Sequence, residues 1–334
     1  MRRVVLSLLI GVVAVGAPAF AQPVDVNRVL ADARTALGGE KRLAAVKTLA
    51  ATGQSTRVVN DQSAAPTDAE LAFELPARFM KKDVLAMLGS TAITRASGFN
   101  GDAAINVIDQ PPMPSGGAVF VFRAGVGGGA PGEVVTSEQK EAAQKAQLLA
   151  SKQEFARLAL GLFAAAPVVY PLQFAYGGQA ESPDGRADIL DVTGEGGFAC
   201  RLFIDTKTHL PLMLSWMAKE PLILTQTVRD GPGGVKIGHG AAGGGVNVTS
   251  VQGKPLTPED RDKLMAELEE QRQKAEAARR VVEFRLYYGD YRDVDGVKVP
   301  FRLQRSIDGK PTEELTLDNV TINGKIDPRK FDVK

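Results

Sequence analysis

Two histidines, one cysteine and two glycine tracts are the places where this sequence sets chemistry-bearing residues at suggestive spacings. Gly127, Gly129 and Gly132, and again Gly238, Gly240 and Gly243, satisfy G-x-G-x-x-G. A dinucleotide site needs that motif inside a strand–turn–helix unit of a parallel sheet, with an acidic residue about 20 positions on. Here the first tract leads into a long polar helical segment and no alternation of strands and helices follows. With 35 glycines in the chain, chance matches are expected. Neither tract ends in the Lys-Ser/Thr of a phosphate loop. His209 and His239 are too few for a catalytic zinc, which takes three protein ligands, and no H-E-x-x-H occurs. His209 lies in DTKTHLPL, which reads as a turn, and His239 in a glycine loop. No G-x-S-x-G elbow is present. Cys200 shares a strand face with Phe198, Leu202 and Ile204, so it reads as a buried, inert thiol. Neither a catalytic residue, a metal nor a cofactor is expected. Carboxylates are plentiful, but nothing in the sequence pairs two of them in space, so a hydrolase stays only a minor alternative.

The elements around these residues are mostly strands. Leu71, Phe73 and Leu75 alternate with Glu70 and Glu74, the pattern of an antiparallel strand with one wet face. Residues 76–82 are expected to continue that strand past Pro76. Extended segments are also expected at 47–59, 104–108, 118–123, 187–193, 198–205, 210–217, 222–228, 281–292, 297–307 and 312–323. Asp295-Gly296 and Asp308-Gly309 are two-residue hairpin turns. Without β-α-β alternation a parallel sheet is excluded in favour of one large antiparallel sheet. Helices are expected at 25–37, stopped by Gly38-Gly39, and at 40–46. A longer one over 137–166 turns from polar to apolar along its length and ends at Pro167. A charged one, solvated apart from a thin stripe, is expected over 258–280. The glycine tracts at 124–132 and 238–245 read as loops.

The first 21 residues read as a cleavable export signal. Arg2 and Arg3 precede a 13-residue apolar run at 4–16, too short for a span of about 20, and Ala19-Phe20-Ala21 forms an A-x-A cleavage site. No cysteine follows it, so no lipid anchor and no stable membrane anchor is expected, and the chain is placed in the periplasm. The signal holds two of the 40 basic residues and none of the 39 acidic ones, leaving a mature chain of formal charge −1. That balance offers no field to gather nucleic acid. A single cysteine also rules out an internal disulfide, so stability rests on burial.

Burial is where the sequence has most to give. Bulky apolar residues recur on strand faces: Leu71, Phe73 and Leu75; Phe120 and Phe122; Phe174; Leu212, Leu214 and Trp216; Phe301 and Leu303. The apolar half of the long helix, with Leu158, Leu162 and Phe163, can lie across them as a lid. These fourteen residues are the expected lining of a cavity for an acyl chain. The same periodicity also fits an ordinary packed core.

Three stretches resemble the LolA/LolB-like lipoprotein-carrier group, which includes outer-membrane lipoprotein-sorting proteins. They are Ala36–Glu40 with Leu43–Leu49, then Leu202–Pro211 (apolar-Asp-x-x-Thr-x-Leu-Pro), and the closing Tyr291–Pro300 with Ile326–Phe331. The resemblance implies an α+β fold: a large curved antiparallel sheet, or half-barrel, with helices covering its concave side. It implies one domain over residues 22–334, here with insertions at about 124–166 and 238–280 that compact carriers lack. It further implies non-catalytic carriage of lipid or the acyl chains of lipoproteins, with envelope membrane proteins as further partners. An envelope scaffold on the same fold, its cavity filled by side chains, is the alternative.

Overall fold

A computed structural model describes residues 24–59, 61–88, 91–109, 118–123, 136–183, 185–220, 227–228, 235–236, 246–251, 270 and 273–332. At 59, 86–88, 91, 118–123, 227–228, 235–236 and 246–251 it describes the backbone course alone. The expected export signal, both glycine tracts, His239 and most of the expected 258–280 helix lie outside these residues.

Two helices open the described chain. Helix α1 (Val26–Ala36) starts at Asp25, whose side chain accepts from the Asn27 amide, and buries Val29 and Ala33 at helical spacing. Helix α2 (Glu40–Ala45) follows at once and buries Leu43. Strands β1 (Thr48–Val59), β2 (Gln62–Ser63), β3 (Thr67–Glu74), β4 (Arg78–Leu88), β5 (Thr91–Asn100) and β6 (Ala103–Asp109) follow, all antiparallel, with β2 and β3 both pairing with β1 and β3 to β6 pairing in succession. Strand β7 (Ala118–Arg123) leaves this sheet, and helix α3 (Ser137–Phe163) follows. Strands β8 (Leu172–Ser182), β9 (Gly185–Gly194), β10 (Phe198–Asp205) and β11 (Pro211–Lys219) build the far edge. Short β12 (Thr227–Val228) pairs with β13 (Val235–Lys236), and β14 (Val246–Val251) pairs with β7. Strands β15 (Val281–Val294), β16 (Val297–Ile307) and β17 (Lys310–Ile322) close the middle.

The result is the expected α+β half-barrel: a 13-stranded antiparallel sheet in the order β6-β5-β4-β3-β1-β17-β16-β15-β11-β10-β9-β8, with β2 beside β1. It is open, with β6 and β8 as edges. Two sequence-distant pairings hold the halves together: β1 with β17, and β11 with β15. The two Asp-Gly dipeptides make the tight turns between β15, β16 and β17. Asp295 and Gly296 sit at φ 53° and 80°, and Asp308 and Gly309 at 47° and 75°, the paired positive values of a type I′ turn.

Two expectations need correction. Residues 76–82 do not prolong the preceding strand. The chain reverses after Glu74, with the Ala77 amide donating to the Glu74 carbonyl at 3.1 Å, and Arg78 begins a new strand that folds back on β3. Alternation continues on both sides of Pro76, so periodicity alone could not see the reversal. The long helix also stops before Pro167: Ala164 takes a left-handed conformation at φ 46° and its amide closes on Leu160.

The sheet buries one face under α3 and the other locally under the C-terminal turn. On the inner face a single cluster joins β1, β3–β5, β8–β11 and β15–β17 to α1, α2 and α3. On the outer face Ala72, Met80 and Ile105 pack with Phe331 of the last turn, Pro328–Phe331.

Candidate functional site

The inner face of the sheet is greasy at one end and charged at the other, and both ends are read from strand alternation. On β3 and β4, Leu71 and Phe73 stand beside Lys81 and Phe79. On β16 and β17, Leu303 stands beside Leu315, and Arg305 beside Glu313. Each apolar row therefore runs into a charge as it crosses the sheet.

Helix α3 closes the greasy part. Its capping box at Thr136 and Gln139 fixes the N-terminus, and its buried residues gather in the C-terminal half, from Phe155 to Leu162. Phe155 enters a ring of aromatic residues, with centroids 5.6 Å from Phe73, 5.1 Å from Phe79 and 5.7 Å from Phe99. Phe163 lies 6.0 Å from Phe73. Further along, Gly161 meets the Tyr288 ring so closely that a Cβ there would lie 2.2 Å from Cε1. The missing side chain is what lets this turn reach the sheet. The Tyr288 hydroxyl donates to the Arg157 carbonyl at 2.5 Å, and that of Tyr291 to Pro211 at 2.9 Å, shared with Gly161 at 3.2 Å. Burial pushes both phenols well above their ordinary range, so both stay protonated and keep the proton they donate.

The charged part pins the middle of the same helix. Glu154 pairs with Arg305, whose Nε lies 3.4 Å from Glu313. Lys81 lies 3.2 Å from Glu313 on its other side, and Ser55 donates to that carboxylate at 2.9 Å. One ionic chain thus links α3 to β16, β17, β4 and β1. Lys81 above all, with Arg305 and the Ser55 hydroxyl, overcomes burial and holds Glu313 at about 2. For Glu154, burial acts upward and is outweighed by Arg305, Lys81 and Arg157, which leave it below its ordinary value.

Where α3 ends, a half-open cleft of about 340 Å³ lies between the helix terminus, α2 and the β3–β4 turn. Leu43, Val46, Leu75, Phe163 and Val168 supply its apolar wall, with Arg34 and Lys47 as its cations. Val168 is 82% exposed, a large apolar side chain left in water beside this cleft. Arg34 donates to the Phe163 carbonyl at 3.2 Å, satisfying an end-of-helix acceptor, and forks onto Glu40 at 2.5 and 2.6 Å.

The expected lining residues fall into four groups. Leu71, Phe73, Leu158, Leu162, Leu214, Phe301 and Leu303 are buried in the one inner cluster, and Phe174 and Trp216 are half-buried against it. Leu75 and Phe163 also pack against it and line the cleft. Leu212 is 40% exposed, because a bulge between β10 and β11 sets Pro211 opposite Ile204 and breaks the alternation that groups Leu212 with Leu214. Of Phe120 and Phe122 only the backbone is described, paired with β14. The ionic chain was absent from the sequence expectations. Its signal was there: Lys81, Arg305 and Glu313 each interrupt an otherwise apolar face. Cys200 is buried, and burial pushes its thiol up to about 12. Among the described residues no cluster of His, Cys, Asp and Glu can hold a metal, and no helix is long and apolar enough to cross a membrane.

No family model matches the chain, and no curated protein matches it in sequence. Among solved structures it is similar to a LolA superfamily protein from Nitrosomonas europaea, at 6% identity and a TM-score of 0.42 over 91% of this chain and 96% of that one. It is similar also to a putative outer membrane lipoprotein-sorting protein domain from Vibrio parahaemolyticus (8%, 0.41, over 92% and 97%). A third is a DUF1329 family protein from Desulfovibrio piger (9%, 0.35, over 92% and 97%).

Proposed function

We propose that this chain is a periplasmic carrier that shelters the hydrocarbon part of a lipid, or the acyl chains of a lipoprotein, between the inner face of its sheet and α3, without covalent chemistry. The observation that carries this reading is the way the inner face is covered. The long helix α3 lies across it, apolar only in its C-terminal half, and an ionic chain holds its middle. The hydrophobic effect is non-directional, so a hydrocarbon chain and the helix's own side chains are interchangeable coverings for the same wall. Each buried CH₂ contributes about 0.8 kcal/mol. The partly buried ion pairs hold α3 in register at little net gain, since desolvation offsets most of their attraction. The cleft at the end of α3 gives a hydrocarbon chain a place to start.

A specific observation favours the scaffold reading instead: Phe155 already fills the space among Phe73, Phe79 and Phe99. On that reading α3 never leaves. Native mass spectrometry of the full chain, purified from the cell envelope without detergent, separates the two. The carrier retains a non-covalent lipid or takes one up from vesicles. A bare polypeptide mass that stays bare after incubation with lipid leaves only the scaffold.

A further inference from the structure

Arg157 stands out among the buried charges because it has no counter-charge of its own. Glu154, three residues earlier on α3, is engaged by Arg305, and Glu313 lies between Arg305 and Lys81. In this cluster three cations face two carboxylates. Arg157 forms no ion pair among the described residues, and its Nε is shut off from water without a hydrogen-bond partner. What it has is aromatic: its guanidinium lies 5.0 Å from the Phe198 ring centroid and 4.6 Å from that of Trp216. Trp216 is in turn stacked on Phe284, 5.6 Å away at 17°. These rings hold the guanidinium plane without using its donors. Burial weighs on the charge and lowers its pKa, so the group is held ionised at a cost that a bound anion would offset. The residue as a whole is only half-buried, as is Trp216.

We infer that Arg157 is the receptor for an oxyanion, a carboxylate or phosphate, at the head of an amphiphile whose chain lies along the adjoining apolar wall. The inference rests on the carrier reading for the chain and on Arg157 alone for the head. A guanidinium fork grips such groups through two parallel hydrogen bonds. The apolar rings around it favour a ligand that also brings hydrocarbon.

Trp216 is the only tryptophan in the chain, so its fluorescence reports on this place alone. The test titrates the purified full chain with dodecyl phosphate, dodecanol and inorganic phosphate, in the wild type, Arg157→Gln and Arg157→Lys. Near-ultraviolet circular dichroism checks that each variant is folded. The expected result is that dodecyl phosphate binds at least about ten-fold tighter than dodecanol, the fold-change of a charge-assisted hydrogen bond. That ratio falls to within about two-fold of unity in Arg157→Gln, and to an intermediate value in Arg157→Lys, which keeps the charge but not the fork. Equal binding of dodecyl phosphate and dodecanol by the wild type overturns the anion site and leaves the carrier. So does a preference that survives in Arg157→Gln. Inorganic phosphate perturbing Trp216 through Arg157, with no response to dodecanol, keeps the oxyanion site but makes its source a free ion, and the carrier falls. No response to any of the three overturns both.

Discussion

Glu313 concentrates the electrostatics of the molecule in one side chain. It is largely enclosed between Lys81 and Arg305 and accepts from Ser55, and its folded pKa of about 2 lies below the ordinary 4.5. Between those values the unfolded chain holds a proton that the folded chain does not. The stability this group contributes is therefore complete above the unfolded value and is lost as pH falls toward about 2. Its size is on the order of 3 kcal/mol. Urea midpoints measured from neutral pH downward are expected to drop below about pH 5, and Glu313→Gln to flatten that part of the curve. Cys200 makes a second residue-scale test. With its thiol pushed up to about 12 and its side chain buried, it is expected to react with a thiol reagent at mildly alkaline pH only when the fold opens. A native-state rate matching that of the urea-unfolded chain contradicts this placement.

At the scale of elements, α3 is the part whose position everything else depends on, and Gly161 is its closest approach to the sheet. The Tyr288 ring opposite cannot swing aside freely, because its hydroxyl is engaged by the Arg157 carbonyl and the residue is buried. Gly161→Ala is expected to cost about 1–3 kcal/mol in chemical denaturation, as overpacking does. It is also expected to raise the rate of Cys200 modification several-fold by lifting this half of the helix. A stabilised variant, as a simple gain in helix propensity would give, contradicts the close contact. The strands themselves were legible in the sequence because alternation and Asp-Gly turns are local. β7, β10 and β16 run over the residues expected. The reversal at Pro76 and the bulge that turns Leu212 outward were not legible. Both preserve the local apolar pattern while changing which face it serves. The ionic chain was half-visible: a charge in a buried row marks a place, but its partner comes from a strand more than 200 residues away, as Lys81 and Glu313 show.

For the whole molecule, alternation reveals that a sheet has a greasy face and leaves open what covers it. The fourteen residues expected to line a cavity include seven that the structure buries together, five on the sheet and two on α3, so the described interior is a covered wall with a cleft at its end. On the proposed carrier reading, one apolar covering is exchanged for another, and the ionic chain at Glu154 and Arg305 would set the register to which the helix returns. The most direct measurement of that exchange is photo-crosslinking with a fatty acid carrying a diazirine midway along its chain, followed by peptide mapping of the full chain. Adducts are expected on the inner-face residues of β1, β3, β4, β16 and β17 and on the Phe155–Leu162 face of α3. Labelling confined to outward side chains such as Met217 and Val281, or none above background, would contradict a hydrocarbon chain ever lying beneath that helix.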